Sequence, residues 1–259
     1  MALDPAAVAE AADILRDREQ VLFITGAGIS ADSGMPTYRG IGGLYEDSAT
    51  EDGVPIEVAL SGRMLMSDPA LCWKHIGRIE AACRGASHNA AHAFIAEFER
   101  RKPGSWVLTQ NVDGFHRNAG TKNLIEIHGN VHELFCTASS CEWTATVADY
   151  AALDIPPRCP TCSAIVRPAV VLFGEMLPPR AIQALQGAME GGFDAVVSIG
   201  TTSVFPYIAG PVVVAAKAGV ATIEINPGNS EVSDVVGLRL RSGAKDALTA
   251  VRAALGWPS

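Results

Sequence analysis

The chain has 259 residues, of which 48% are hydrophobic and 19% charged, so it is long enough to bury one large core or one domain with a small module. Its formal net charge of -8 argues against a general binder of nucleic acid or of anionic membranes, because both need an excess of Lys and Arg on one face. A basic peptide partner suits an acidic chain better.

The first twenty residues have no long apolar core, so they are predicted to be neither a secretory signal nor a membrane anchor. Their spacing predicts an amphipathic helix whose apolar side is formed by Val8, Ala11, Ala12 and Leu15. No run in the sequence reaches the roughly 18 to 20 apolar residues of a membrane span. We therefore expect a cytoplasmic protein, in which the six cysteines are thiols or metal ligands rather than disulfides.

Short apolar runs alternate with helical stretches along the rest of the chain. The runs with the composition of buried parallel strands are Val21 to Thr25, Trp106 to Thr109, Leu124 to Ile127, Ala195 to Ile199 and Ala221 to Ile225. The stretches with the apolar spacing of helices on a sheet are His88 to Arg101, Pro179 to Glu190, Pro206 to Ala218 and Ala244 to Leu255. This alternation predicts an α/β fold with a doubly wound, mostly parallel sheet.

The first predicted strand leads directly into glycines. Residues Gly26 to Ala31 match G-x-G-x-x-A, in which glycines let the backbone approach a pyrophosphate at a helix N-terminus. A tight turn without a ligand is the alternative. Pro36 predicts an early end to the helix, and the glycine-rich segment after it carries Tyr38 and Arg39. We expect a mobile flap that brings a cation to the phosphates, which suits chemistry at the ribose better than hydride transfer.

Polar side chains follow the later predicted strands, at the edge where ligands bind in open α/β sheets. Gln110, Asn111 and Asp113 follow the second strand, where they can hold ribose hydroxyls and a carboxamide. His128 ends the third strand and is a candidate general base, with an ordinary pKa of about 6.5. The alternative for His128 is a histidine that only makes hydrogen bonds within the fold. The remaining polar positions at strand ends are Gly200, Thr201, Thr202, Ser203 and Asn226.

Four cysteines lie in a segment without regular periodicity, from Cys136 to Ile165. Cys136 and Cys141 form one pair, and Cys159 and Cys162 form a second pair in a C-P-x-C turn. Two pairs at this separation are typical of a zinc ribbon, and four thiolates leave no open coordination position. We therefore predict a structural zinc ion in an inserted module.

These motifs, in this order, resemble the sirtuin family of NAD-dependent protein lysine deacylases. The matching segments are GAGIS-ADSG-MPTYRG, TQNVDGFH, IHGN, the two cysteine pairs, VVLFGE, GTTS and IEIN, between about Val21 and Ala244. The segment GIGGLY resembles a bacterial-type branch of the family that includes desuccinylases. The resemblance implies a single catalytic core with a large Rossmann-like domain, at about 1–40, 86–130 and 168–259. It also implies a small domain of a helical insertion, at about 41–85, and the zinc module, at about 131–167.

The resemblance also implies the cofactors, the reaction and the site residues. The cofactors are NAD and a structural zinc, and the implied reaction converts an acyl-lysine protein and NAD to nicotinamide, free lysine and O-acyl-ADP-ribose. The implied NAD contacts are Gly26, Ala27, Gly28, Ile29, Pro36, Thr37, Tyr38, Arg39, Gln110, Asn111, Val112, Asp113, Gly200, Thr201, Thr202, Asn226 and Ala244. His128 is the implied catalytic base, acting with Asn111 and Asp113. The implied strand that pairs with the substrate backbone is Val171, Leu172, Phe173, Gly174 and Glu175. A monomer is expected.

The acyl group is a separate question. The desuccinylase branch has a Tyr-x-x-Arg pair for an acyl carboxylate, and this chain has His75 and Arg78 at that spacing, which shares a helix face. The alternative is a solvated helix face on which Arg78 pairs with Glu80 or with water. We expect acetyl or a longer neutral acyl group ahead of succinyl.

Three other functions are kept open. A protein mono-ADP-ribosyltransferase on the same scaffold would transfer ADP-ribose to a protein nucleophile. A catalytically silent module would bind NAD or ADP-ribose, but it would have no need of Asn111, Asp113 and His128 together. A nucleic-acid-binding zinc ribbon is disfavoured by the acidic balance of the chain.

Overall fold

The computed structural model describes residues 3–35 and 50–258. The helices in these ranges are α1 (Pro5–Arg16), α2 (Ile56–Ala59), α3 (Gly62–Ser67), α4 (Pro69–Cys83), α5 (Ala90–Arg101), α6 (Phe115–Ala119), α7 (Pro179–Glu190), α8 (Pro206–Lys217) and α9 (Ala244–Ala254). The strands are β1 (Val21–Thr25), β2 (Trp106–Thr109), β3 (Leu124–Glu126), β4 (Gly129–Cys136), β5 (Thr144–Thr146), β6 (Val166–Val170), β7 (Ala195–Ile199), β8 (Ala221–Ile225) and β9 (Leu238–Leu240).

Six strands form a parallel sheet in the order β3-β2-β1-β7-β8-β9. If these six are numbered by their appearance in the chain, the order is 3-2-1-4-5-6, which is that of a dinucleotide-binding Rossmann sheet. The order reverses between β1 and β7, which pair from Val21 with Ala195 to Thr25 with Ile199. The predicted α/β fold with a doubly wound, Rossmann-like sheet is confirmed.

Helices cover both faces of this sheet, and all five side chains of β1, the first four of them apolar, are buried. Val21 and Phe23 pack in the cluster that contains α1, α5 and α9. Leu22 and Ile24 pack in the opposite cluster, with residues of α7 and α8. The predicted apolar side of α1, formed by Val8, Ala11, Ala12 and Leu15, is buried in the first of these clusters.

A second, smaller unit combines helices α2 to α4 with a three-stranded antiparallel sheet in the order β5-β4-β6. Trp73 of α4 is fully buried and donates its indole N–H to the Val166 carbonyl oxygen at 3.0 Å. The predicted domain boundaries, near residues 130 and 168, fall inside β4 and β6. These two strands pair with each other, beginning with Gly129 opposite Val170. This antiparallel sheet therefore joins the small unit to the chain that follows β3.

In the described part of the chain, every helix is too short or too polar to cross a membrane.

Candidate active site

The carboxyl ends of β1 and β7 meet at the point where the strand order reverses. The N–H of Gly28 donates to the Gly200 carbonyl oxygen at 2.8 Å. A Cβ added to Gly28 would lie 2.6 Å from the Gly200 Cα, so only glycine allows this approach. Ligands of open α/β sheets bind in the crevice beyond this edge. The predicted glycine loop therefore lies at the position expected of a dinucleotide site.

Two short 3-10 helices, Ala27–Ile29 and Ala31–Ser33, follow β1 in place of the α-helix of a dinucleotide-binding motif. Ile29 packs its side chain in the core, so its backbone alone is left to face a ligand. The predicted NAD contacts Pro36, Thr37, Tyr38 and Arg39 lie outside the described residues, and so does the GIGGLY segment.

The polar residues after β2 reach the glycine loop. The Asn111 amide nitrogen Nδ2 donates to the Gly26 carbonyl oxygen at 3.1 Å and to Ser30 Oγ at 3.2 Å. The Ser30 hydroxyl donates in turn to the Asp113 carboxylate at 2.8 Å. Val112, between these residues, packs against the apolar cluster of the small unit. Asn111 and Asp113 are thus brought together through Ser30.

Asp113 is a buried carboxyl group. Burial raises the pKa of Asp113, while hydrogen bonds from the Phe115 N–H, at 2.9 Å, and the Ser30 hydroxyl oppose that rise. Both carboxylate oxygens accept hydrogen bonds from the protein, so Asp113 orients Ser30 and Asn111. Direct contact between Asp113 and a ribose stays a prediction.

His128 lies between the large sheet and the small unit. Its ring nitrogen Nδ1 is 3.0 Å from the Gln110 carbonyl oxygen, and its Nε2 is 2.7 Å from the Tyr207 hydroxyl. Because a carbonyl oxygen only accepts hydrogen bonds, Nδ1 carries the proton and Nε2 is the basic atom. Burial lowers the pKa of His128, so the imidazole is neutral at pH 7.

Gly129 fixes the backbone at His128. Its φ is 81°, and a Cβ at this position would lie 1.7 Å from the Ala169 carbonyl oxygen. The His128 carbonyl oxygen accepts from the Val171 N–H at 2.9 Å. The histidine is therefore tied to the segment of chain predicted to bind the substrate.

The far half of the crevice is built by residues after β7 and β8. The Gln110 amide donates to Thr201 Oγ1 at 2.7 Å, and the Asn226 amide donates to the Thr201 carbonyl oxygen at 2.9 Å. Thr202 is exposed. Ala244 begins α9 and is buried in the core, so only its backbone is available to a ligand. The structure thus connects Gln110, Thr201 and Asn226 in one network.

The predicted substrate segment, 171–175, lies just beyond β6 and is not part of a regular strand. It ends in a turn, in which the Glu175 N–H donates to the Leu172 carbonyl oxygen at 3.0 Å. Phe173 makes an isolated parallel bridge with Ser61: its N–H donates to the Leu60 carbonyl oxygen and its carbonyl oxygen accepts from Gly62. Glu175 accepts from Arg167 at 2.5 and 2.9 Å, and from the Leu172 N–H at 2.9 Å. One edge of the segment is thus paired within the chain.

The two residues considered for an acyl carboxylate both meet acidic groups. His75 on α4 is fully buried, and its Nε2 lies 3.0 Å from the Asp52 carboxylate. Arg78 pairs with Glu51 at 2.5 Å. Glu80, the partner considered for Arg78, is buried and pairs with Arg84 instead. His75 and Arg78 on α4 are therefore each already paired with a carboxylate of the protein.

The four predicted zinc ligands form one cluster. The sulfur atoms of Cys136, Cys141, Cys159 and Cys162 all lie within 4.8 Å of one another. Two of these distances are 3.4 Å, from Cys136 to Cys162, and 3.7 Å, from Cys141 to Cys159. Zinc with bonds of about 2.3 Å to four tetrahedral thiolates places the sulfurs about 3.8 Å apart. The donor set therefore fits a closed, structural zinc site.

Two residues of the site were not predicted. Ser30 lies inside the glycine motif. A hydroxyl in a loop rich in backbone N–H donors was the feature of the sequence that could have indicated its role. Tyr207 gave no signal, because a single aromatic residue at the start of a helix is common in packed cores. Only the fold brings it to His128, 79 residues away in the chain.

Comparison with known proteins identifies close relatives. The Sir2 family model matches residues 26–206. The "NAD-dependent protein deacylase 2" of Pseudomonas aeruginosa is 50% identical over 246 residues, which are 94% of this chain and 95% of that protein. The solved structure of a Sir2 homologue with NAD has a TM-score of 0.81 and 32% identity, covering 95% and 93% of the two chains. A Sir2 variant solved with a deacetylated p53 peptide and 3′-O-acetyl-ADP-ribose has a TM-score of 0.84 and 27% identity, covering 96% and 98%.

Proposed function

The chain belongs to the Sir2 family, and we propose that it is an NAD-dependent protein deacylase that removes acetyl and related short acyl groups from lysine side chains. The products are nicotinamide, the deacylated lysine and O-acyl-ADP-ribose. The observation that carries this proposal is the neutral His128, whose Gln110 partner connects it to Thr201 after β7. A protein that only bound a nucleotide would need no such base.

The residues at the switch point fit NAD. The close contact of Gly28 with Gly200 leaves room for a pyrophosphate against the backbone, and Asn111 and Gln110 offer amides to the nicotinamide riboside half. Asn226 and Ala244 border the half that would hold adenosine. When bound, NAD supplies the ribose carbon from which nicotinamide leaves.

His128 acts as the general base in this proposal. Its unprotonated Nε2 takes up the proton that a ribose hydroxyl releases, while the Gln110 carbonyl oxygen keeps the opposite proton on Nδ1. The imidazolium formed is then stabilised by that same carbonyl oxygen. Asn111 and Asp113 position the glycine loop through Ser30 rather than exchanging protons themselves.

The substrate backbone is proposed to pair with Val171 to Glu175 by strand addition. The bridge from Phe173 to Ser61 and the contacts of Arg167 with Glu175 support this, because they fix the position of the segment before a peptide arrives. The net charge of -8 favours lysine-rich peptides.

A neutral acyl group is proposed ahead of succinyl. The carboxylates of Glu51 and Asp52 already meet Arg78 and His75, so an acyl carboxylate brought to this pair would be repelled by two like charges. Succinyl would therefore have to compete with carboxylates of the protein.

Three further features belong to the proposal. The insertions at about 41–85 and 131–167 form the small domain, and the remainder forms the large domain. We propose a monomer, which light scattering would test. A cytoplasmic location is supported by the six cysteines, none of which is in a disulfide.

The test is mass spectrometry of the purified protein with NAD and one lysine peptide carrying acetyl, butyryl, malonyl or succinyl in turn. The proposal predicts O-acyl-ADP-ribose with the neutral acyl groups and slower turnover with the acidic ones. ADP-ribose attached to protein without deacylation would instead identify a transferase, and NAD binding without any turnover would identify a silent module.

A further inference from the structure

Tyr207 is held against the atom that serves as the base. Its hydroxyl lies 2.7 Å from His128 Nε2. Since Nδ1 carries the imidazole proton, Nε2 accepts this hydrogen bond and Tyr207 donates it. An imidazole nitrogen has a single lone pair in the ring plane, so the hydroxyl occupies the position through which the base must receive a proton.

The ring of Tyr207 is fixed by its neighbours. It stacks on Phe205 with ring centroids 5.4 Å apart and an angle of 11° between the planes. It also packs on the apolar cluster beneath α8. His128 meets both rings edge to face, with centroids 6.0 Å from Phe205 and 5.9 Å from Tyr207. Moving Tyr207 aside would break the stacking and the hydrogen bond together.

We propose that Tyr207 relays the proton from the ribose hydroxyl of bound NAD to His128. This inference rests on the proposed function. A phenol suits the step because its oxygen accepts one hydrogen bond while its own O–H donates another. The ribose O–H bond breaks as its proton passes to the tyrosine oxygen, and the tyrosine O–H bond breaks as its proton passes to Nε2. Tyr207 ends unchanged, His128 gains one positive charge, and the sugar oxygen keeps the electron pair with one negative charge.

Both proton transfers occur together in this relay. Burial raises the pKa of Tyr207, which disfavours a free phenolate between the two transfers. The relay also leaves Phe205 and α8 in place during catalysis, so neither has to move when NAD binds.

The test compares the wild-type protein with Tyr207→Phe, which keeps the ring and its stacking but removes the hydroxyl. In the proposed reaction nicotinamide leaves before the base acts, so exchange of labelled nicotinamide into NAD, with acyl peptide present, measures the step before the relay. We expect Tyr207→Phe to keep its NAD affinity and its nicotinamide exchange. Its deacylation is expected to slow about 10- to 100-fold, less than the full range for a general base because water can replace the hydroxyl.

A measurement without turnover accompanies this one. Nitrogen-15 NMR of the His128 ring in the free protein should show a protonated Nδ1 and an unprotonated, hydrogen-bonded Nε2, and Tyr207→Phe should shift the Nε2 resonance. Tyr150→Phe is the matched control, because it removes another buried tyrosine hydroxyl, which donates to the Val131 carbonyl oxygen. It should leave the ratio of exchange to deacylation unchanged.

Three outcomes would overturn the relay. Full deacylation by Tyr207→Phe would mean that the hydroxyl is outside the proton path. Tighter NAD binding with faster deacylation would mean that Tyr207 covers the base and is displaced. Equal losses of exchange and deacylation would mean a structural role. If the wild-type protein itself transfers no acyl group, the proposed function fails, and that result is distinct from all three.

Discussion

Gly28 and Gly200 join the two halves of the large sheet at its switch point through a backbone hydrogen bond of 2.8 Å. Gly200 has a φ of 59°, and a Cβ on it would lie 2.5 Å from the Ile29 nitrogen. The contact therefore depends both on a left-handed backbone and on the absence of a side chain.

Gly200→Ala is expected to destabilise the protein and to abolish NAD binding. The left-handed conformation alone costs about 1–2 kcal/mol for alanine, and the contact with Ile29 requires the loop to move as well. Calorimetry of NAD binding and urea unfolding would measure the two effects. Gly219→Ala is the matched control, because Gly219 has a φ of 72° and open space around its Cβ position. Equal effects of both variants would contradict the role of the close contact.

The stability of the protein is expected to fall below pH 6.5 because of two buried histidines. Burial, and to a smaller extent His88, lowers the pKa of His92 to about 3, and burial holds the pKa of His116 well below its usual range. Below pH 6.5 the unfolded chain binds these two protons and the folded chain does not. Each histidine then reduces the free energy of unfolding by about 1.4 kcal/mol per pH unit.

Urea unfolding at pH 7, 6 and 5 would measure this slope. His92→Gln should reduce the dependence of the unfolding free energy on pH by the contribution of one histidine, about 1.4 kcal/mol per pH unit. His88→Gln should change it little, since His88 is exposed and its removal leaves the burial of His92 intact. A slope that stays the same in His92→Gln would refute the assignment.

The pair of Arg167 and Glu175 is expected to position the substrate peptide. Two hydrogen bonds from Arg167 hold Glu175, which also accepts from the Leu172 N–H inside the predicted substrate segment. Glu175→Gln weakens a charge-assisted pair, so the KM for the peptide should rise about 10-fold, corresponding to roughly 1.4 kcal/mol. The KM for NAD should change little.

Steady-state kinetics with each substrate varied in turn would check this. Glu133→Gln is the control, because Glu133 forms an exposed ion pair with Arg117 at 2.5 Å in the small sheet. A rise in the KM for NAD equal to that for the peptide would point to a general disturbance of the fold.

Removal of zinc is expected to unfold the cysteine module. Four thiolates at tetrahedral spacing hold β4, β5 and β6 together at one end of the small sheet. Strand β5 of this sheet contributes few apolar residues to the packing. Cys162→Ser should lose the metal and lower the Tm, as measured by elemental analysis and calorimetry. Cys72→Ser alters a buried cysteine outside the cluster and should keep one zinc per chain. Zinc retained at full occupancy by Cys162→Ser would exclude this ligand set.

The sequence predicted the large domain well and the small domain poorly. The runs at β1, β2, β7 and β8 were predicted to the residue, because central parallel strands are buried on both faces and are mostly apolar. β9 was missed, since Leu238–Leu240 has only three residues with Arg239 in the middle. β4 to β6 were missed because the metal ligands shape this part of the chain more than hydrophobic periodicity does, and β6 contains Pro168.

In the candidate active site, too, some residues were predicted from the sequence and others were not. Motif residues that follow strands, such as Gln110 and His128, were found because strand ends meet at one edge of a parallel sheet. Ser30 and Tyr207 were not, since hydrogen bonds between distant segments leave no pattern along the chain. The helix expected after the glycine motif is replaced by two 3-10 turns, the second of which ends at Gly34 with a φ of 84°.

The central claim is that His128 is the base of an NAD-dependent lysine deacylase. The most direct measurement is the rate of O-acetyl-ADP-ribose formation from NAD and an acetyl-lysine peptide by His128→Ala, with His88→Ala as the control for loss of a histidine. The account predicts that His128→Ala slows this rate by about 10²–10⁴ while NAD affinity and thermal stability are retained. Formation of the product at the wild-type rate by a folded His128→Ala protein would contradict it.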